Sequence, residues 1–110
     1  MATNTDLFDA TKLWATAVDT SVGTTWQEFK LNTLIKSRRV TVKADGAIYY
    51  ASSEDGAADG GAVGAVRSSW TAAQVTNGIE VDLYPDPAKR ITSVFVAAQA
   101  GTVSVELVQE

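Results

Sequence analysis

The clearest pattern of apolar and polar positions lies at the C-terminal end, where Val103, Val105 and Leu107 alternate with Ser104 and Glu106 before Val108 and Gln109. A period of two sends successive side chains to opposite faces of an extended chain, so this run predicts a half-buried strand. Upstream, Ile91-Thr92-Ser93-Val94-Phe95-Val96-Ala97-Ala98 is β-branched and apolar at both parities. A strand covered on both faces, or central in a sandwich, has that composition. The intervening Gln99-Ala100-Gly101 reads as a turn, which predicts a hairpin over residues 90–108.

The same alternation places Ile79, Val81 and Leu83 on one face and Glu80, Asp82 and Tyr84 on the other. Asn77-Gly78 before this strand tolerates positive φ, and the prolines of Tyr84-Pro85-Asp86-Pro87 after it cannot donate to a ladder. Arg39-Val40-Thr41-Val42-Lys43 and Ala47-Ile48-Tyr49-Tyr50-Ala51-Ser52 flank Ala44-Asp45-Gly46. Asp-Gly between two such runs is a strong hairpin signal, so a second hairpin is expected there. Further strands are expected at residues 13–18, 26–31 and 66–70, with a short helical turn as the alternative for 26–31.

Seven or eight short strands punctuated by turns, with no helical run long enough for a crossover, predict an all-β, antiparallel sandwich resembling a jelly roll. Residues 13–110 form its single domain, since two cores in 110 residues would each be too small. Residues 1–12 read as an extended N-terminal arm, polar apart from Leu7 and Phe8. Residues 53–64, rich in glycine and acidic side chains, read as a protruding loop.

Charge and composition narrow the function classes. The chain has no cysteine and no histidine, which removes thiol nucleophiles, disulfides, Ser-His-Asp triads and Cys- or His-based zinc sites. A net charge of −4 argues against nucleic acid, whose binding rests on Lys and Arg displacing counterions. Lys36-Ser37-Arg38-Arg39 is the one locally basic run and reads as a solvated turn. No stretch approaches the ~18–20 apolar residues of a membrane span, and residues 1–6 lack the basic and apolar segments of a secretory signal, so synthesis in the cytosol is expected.

The residues bear on three candidate chemistries. Glu54, Asp55 and Asp59 match no calcium-loop spacing, and the glycines at 56, 60, 61 and 64 lack the Lys-Ser/Thr ending of a phosphate cradle. No metal or cofactor is therefore expected. Glycoside hydrolysis needs only two carboxylates, but among Glu28, Glu80, Asp82 and Glu106 the last three fall at outward positions, so no enzymatic activity is expected. The aromatics divide between core and surface. Trp26 and Trp70 are expected inside the sandwich, whereas Trp14 stands at the foot of the arm. A coplanar exposed array drawn from Trp14, Tyr49, Tyr50 and Tyr84 would instead mark a glycan- or receptor-binding module.

From Arg39 onward, the order of features resembles the small β-sandwich virion proteins of tailed bacteriophages, in particular capsid decoration or cement proteins. The residues carrying the likeness are the runs 39–43 and 47–51, the Gly-rich loop, Gly78-Ile79-Glu80-Val81-Asp82-Leu83 and the stretch 91–107. The resemblance implies a protein of the outer capsid surface that clamps neighbouring major capsid protein subunits, assembles as a homo-oligomer (trimer favoured), and has no catalytic residues. Head-fibre, neck or vertex modules share the pattern and form the alternative. On the residues themselves, Leu7 and Phe8 of the arm, with Leu13 and Trp14 at its foot, are the expected partner-binding side chains.

Overall fold

The computed structural model describes residues 2–4, 15–31, 38–52, 68–83 and 91–109. They form nine strands and one short helix: β1 (Ala2–Asn4), β2 (Ala15–Val22), β3 (Gln27–Lys30), β4 (Arg39–Ala44), β5 (Ile48–Ser52), β6 (Ser68–Trp70), α1 (Ala72–Val75), β7 (Ile79–Asp82), β8 (Ser93–Ala98) and β9 (Val103–Gln109). A five-stranded sheet in the order β1-β3-β8-β5-β6 packs on a four-stranded sheet in the order β2-β9-β4-β7. The expected all-β sandwich is what the chain forms.

The antiparallel pairs are nested. β5 pairs with β6, β4 with β7, β3 with β8 and β2 with β9, so β2 to β9 amount to one long double strand rolled upon itself. Rolling adds the contacts β4–β9 and β5–β8. Every connection between β2 and β9 except that from β5 to β6 consequently changes sheet.

This topology corrects both expected hairpins. β8 and β9 lie in different sheets, as do β4 and β5, so each pair is an arch from one layer to the other. A two-residue type I′ hairpin requires positive φ at both central positions. Among the described residues only Gly78 (φ 87) and Gly101 (φ 63) have it, and Asp45 and Gly46 do not. The other reason lies in β8, whose six residues are all buried. It sits between β3 and β5, leaving no edge where β9 could pair.

The two arches lock together side by side. The Asp45 N–H donates to Ser104 O at 3.2 Å, and Gln99 N–H to Ala47 O at 3.1 Å. The Asp45 carboxylate returns the favour by accepting from Ser104 N–H at 2.9 Å. The Gln99 amide reaches Ile48 O at 3.0 Å, Ser69 Oγ at 2.9 Å and Trp70 O at 3.3 Å, which ties β8 to the far edge of its sheet.

The core between the sheets follows the alternation in the sequence. Val40, Val42, Val105 and Leu107 from one sheet meet Phe29, Ile48, Val94 and Val96 from the other. Ile79, Val81 and Leu83 face inward as expected, while Glu80 and Asp82 are exposed; Tyr84 lies outside the described residues. The 26–31 stretch is a strand, not the alternative helical turn. β2 runs to Val22 across an irregularity in register between Asp19 and Val22.

One element was unexpected. α1 closes the passage from β6 to β7, with Val75 buried in the core. Thr71 caps it: the Thr71 hydroxyl accepts from Gln74 N–H at 3.3 Å, and the Gln74 side chain accepts from Thr71 N–H at 2.9 Å. This reciprocal capping box satisfies two backbone donors, and the Thr71-x-x-Gln74 spacing is its sequence signature. A single turn has no periodicity to detect.

β1 stands outside the nested roll. It pairs in parallel with β3, in the register Ala2↔Gln27, Thr3↔Glu28 and Asn4↔Phe29. The start of the segment expected as an arm is thus the edge strand of the five-stranded sheet. The expected protruding loop at 53–64 lies outside the described residues.

Candidate interaction surfaces

Because β5 and β8 carry apolar groups at both parities, and Trp26 just before β3 falls on the parity opposite to Phe29, their sheet has two apolar faces. Phe29, Ile48, Val94 and Val96 face the core, and Trp26, Ala51, Phe95 and Ala97, with Tyr49 packed against them, form a second cluster on the opposite face. Phe95 is completely buried and Trp26 is 4% exposed. Trp26 was expected inside the sandwich; it is buried, but on the outer side, because it shares a parity with Glu28 and not with the core residue Phe29. The Trp26 indole N–H is buried without a hydrogen-bond partner among the described residues.

Glu28 sits on this same outer face, where its carboxylate accepts from Ser93 Oγ at 2.8 Å. Its burial distinguishes it from the other three carboxylates considered as a catalytic pair. Glu80, Asp82 and Glu106 stand exposed on the far side of the other sheet. Sheets pack ~10 Å apart and these side chains point away from each other, so Glu28 cannot face any of them across a scissile bond, where two carboxyls lie at most ~9.5 Å apart.

The outer face of the four-stranded sheet is a mosaic of charges. Arg39 Nη1 lies 3.2 Å from Glu80 Oε2 with both side chains largely in water, and Lys43 lies directly opposite Glu106. Exposed cross-strand pairs of this kind add little stability each. Arg38, Arg39, Glu80 and Asp82 line a shallow depression at the β4–β7 edge. The basic run expected as a solvated turn contributes Arg38 and Arg39, both exposed, and mixing two acids with them leaves no field selective for anions. Among the described residues, Val18, 54% exposed and opposite Glu106, is the large apolar side chain that this face presents to water.

The aromatic residues do not assemble as a glycan platform within the described residues. Tyr49 and Tyr50 are neighbours on one strand and point to opposite faces. Tyr50 turns inward and stacks on Trp70 with ring centroids 4.5 Å apart and planes 16° apart. Trp14 lies outside the described residues, as do the partner-binding candidates Leu7, Phe8 and Leu13. No group of three or more metal-ligating side chains occurs among the described residues, and no helix among them is long and apolar enough to cross a membrane.

One side-chain tie joins the two layers near the start of the roll. The Gln27 amide of β3 donates to the Asp19 carboxylate of β2, and the Ser21 N–H donates to the same carboxylate at 2.9 Å. The Gln27 bond, followed by that from Ser21, holds the Asp19 carboxyl below its usual range. A carboxyl whose pKa is lower in the folded than in the unfolded chain adds stability above the unfolded value, about 3.9. That contribution disappears as pH falls through the folded value. Asp19→Asn is expected to destabilise at neutral pH and to flatten the acid limb below pH ~4, measured as urea midpoints against pH. A parallel acid limb in both proteins would show that Asp19 has no part in it.

The sequence offered no direct sign of the Asp19–Gln27 tie, which depends on two sheets meeting. The outer cluster did leave a trace, in the double parity of residues 91–98. Comparison of the chain with protein-family models, with curated proteins and with solved structures found no match.

Proposed function

We propose that this chain is a structural virion protein: a capsid decoration or cement protein that binds the outer surface of a phage head and braces neighbouring major capsid protein subunits. The observation that carries the reading is the nested pairing of β2 to β9. It supports treating the sandwich as a jelly roll, an architecture used by viral capsid domains and also by lectins and cupins. Fold alone does not fix function. The choice among these users rests on the side chains: histidine, the usual cupin metal ligand, is missing throughout, and Tyr49 and Tyr50 face opposite ways. The exposed carboxylates spread along a sheet face suit contact with other polypeptides better than catalysis, and the protein acts without cofactor, nucleic acid or membrane.

In this reading, residues 1–12 with Leu13 and Trp14 supply the contact to the shell, Leu7 and Phe8 being its apolar anchors. The working state is a homo-oligomer, with a trimer favoured, on the virion exterior. The test is co-sedimentation of purified protein with DNA-filled heads that lack it. The full chain is expected to bind in hundreds of copies per head, and a chain without residues 1–12 is expected to lose binding while keeping the far-ultraviolet spectrum of a β protein. Undiminished binding by the shortened chain would remove the arm from the contact, and a handful of copies would move the protein to a vertex, neck or fibre.

A further inference from the structure

The position of β1 in the sheet suggests a second role for the N-terminal segment. We propose that the outer edge of β3, filled here by β1, is a strand-acceptor site for the N-terminal segment of a second copy of this chain, so that Ala2–Asn4 pair either with their own β3 or with a neighbour's. The inference does not depend on the phage reading above.

Three observations carry it. The nested roll is complete without β1, since each strand from β2 to β9 already has its antiparallel partner. β3 would then end its sheet, and a sheet edge with unpaired N–H and C=O groups is a template for another strand. The strand that fills it is three residues long and makes the one parallel pair among the described strands. Parallel ladders are slightly weaker per residue, and so short a strand contributes few hydrogen bonds, so the intramolecular pairing is readily released. Residues 5–14, which join β1 to β2, span at most ~33–36 Å when extended, matching the 34 Å longest dimension of the molecule. The segment therefore has the reach to leave its own domain for an adjacent one.

The occupant follows from complementarity already present. Residues 2–4 match the β3 edge in register within one chain, and every copy carries the same donor and the same acceptor. Exchange between copies reproduces the same contacts, so its free energy differs from the closed form mainly by the lost freedom of association. Copies held side by side restore much of that freedom through a high effective concentration.

The absence of cysteine makes the test direct. One population carries a donor dye at Thr5→Cys, the residue after Asn4; a second carries an acceptor dye at Lys30→Cys, an exposed position next in register after Phe29. Energy transfer between the mixed populations reports only intermolecular pairing. It is expected to grow with concentration, to increase when the acceptor chain lacks residues 1–4 and so has a vacant edge, and to vanish when the donor chain carries Thr3→Pro. If the shortened acceptor fails to fold by circular dichroism, the Thr3→Pro donor decides alone. No transfer at any soluble concentration, or transfer that survives Thr3→Pro, would overturn the proposal.

Discussion

Phe95→Ala is expected to destabilise the domain by ~3–5 kcal/mol, as much as removing an aromatic ring from the centre of a core. The ring lies on the face of the five-stranded sheet turned away from the other sheet, where a simple sandwich would meet water and the substitution would matter little. Instead Phe95 is fully buried beside Trp26, Ala51 and Ala97. The comparison is Phe29→Ala, on the opposite face of the neighbouring strand and equally buried. Similar urea midpoints for the two variants would show that both faces carry structural load. Since domains of this kind are stable by only ~5–15 kcal/mol, Phe95→Leu provides a milder step, with an expected loss below ~1.5 kcal/mol. A loss under ~1 kcal/mol for Phe95→Ala itself, far below the usual range, would mean that the ring is not packed.

Gly46→Ala is expected to have the next largest effect, through the arches and not through backbone strain. A Cβ at Gly46 would stand 2.8 Å from Val103 Cγ1. Val103 is itself buried and β-branched, so it has little rotameric freedom with which to yield. Overpacking of this kind costs ~1–3 kcal/mol, more than the ~0.4–1 kcal/mol gained from a less flexible unfolded chain. Gly23 is the control. It too lacks positive φ, and nothing lies within 4 Å of a Cβ built there, so Gly23→Ala should be neutral or slightly stabilising. Thermal unfolding of the two variants separates these outcomes; equal melting temperatures would show that the arches are not in close contact at Gly46.

Gly46 also shows where reading the sequence fell short. Asp45-Gly46 between two alternating runs signals a hairpin because Asp-Gly accepts positive φ at both positions. Here the glycine is needed for a different reason: β9 passes so close that there is no room for a side chain. The dipeptide is the same in both cases. Which reason applies depends on Val103, 57 positions later (103 − 46).

The N-terminal segment is a similar case. Its polar composition reads as an arm, and nothing in Ala2-Thr3-Asn4 marks a strand. Its pairing is created by an edge, and an edge exists only once β3 has found β8. The short helix at residues 72–75 and the Asp19–Gln27 tie likewise come from the way two layers are joined. Trp26 was legible as buried, but the side of the sheet it would occupy was not.

Where apolar and polar residues alternate, the existence of a strand and the inward or outward sense of its side chains were set locally, because the two-residue period of an extended chain maps directly onto its two faces. Residues 79–83 and 103–107 could be assigned on that basis alone, and so could the all-β class. Partner choice was different. A strand can satisfy its backbone hydrogen bonds against any neighbour, and short turns serve equally well to reverse within a sheet or to step across to the next. Only the tertiary structure decided between them, because β3 and β5 occupy both edges of β8 and leave β9 to pair in the other layer.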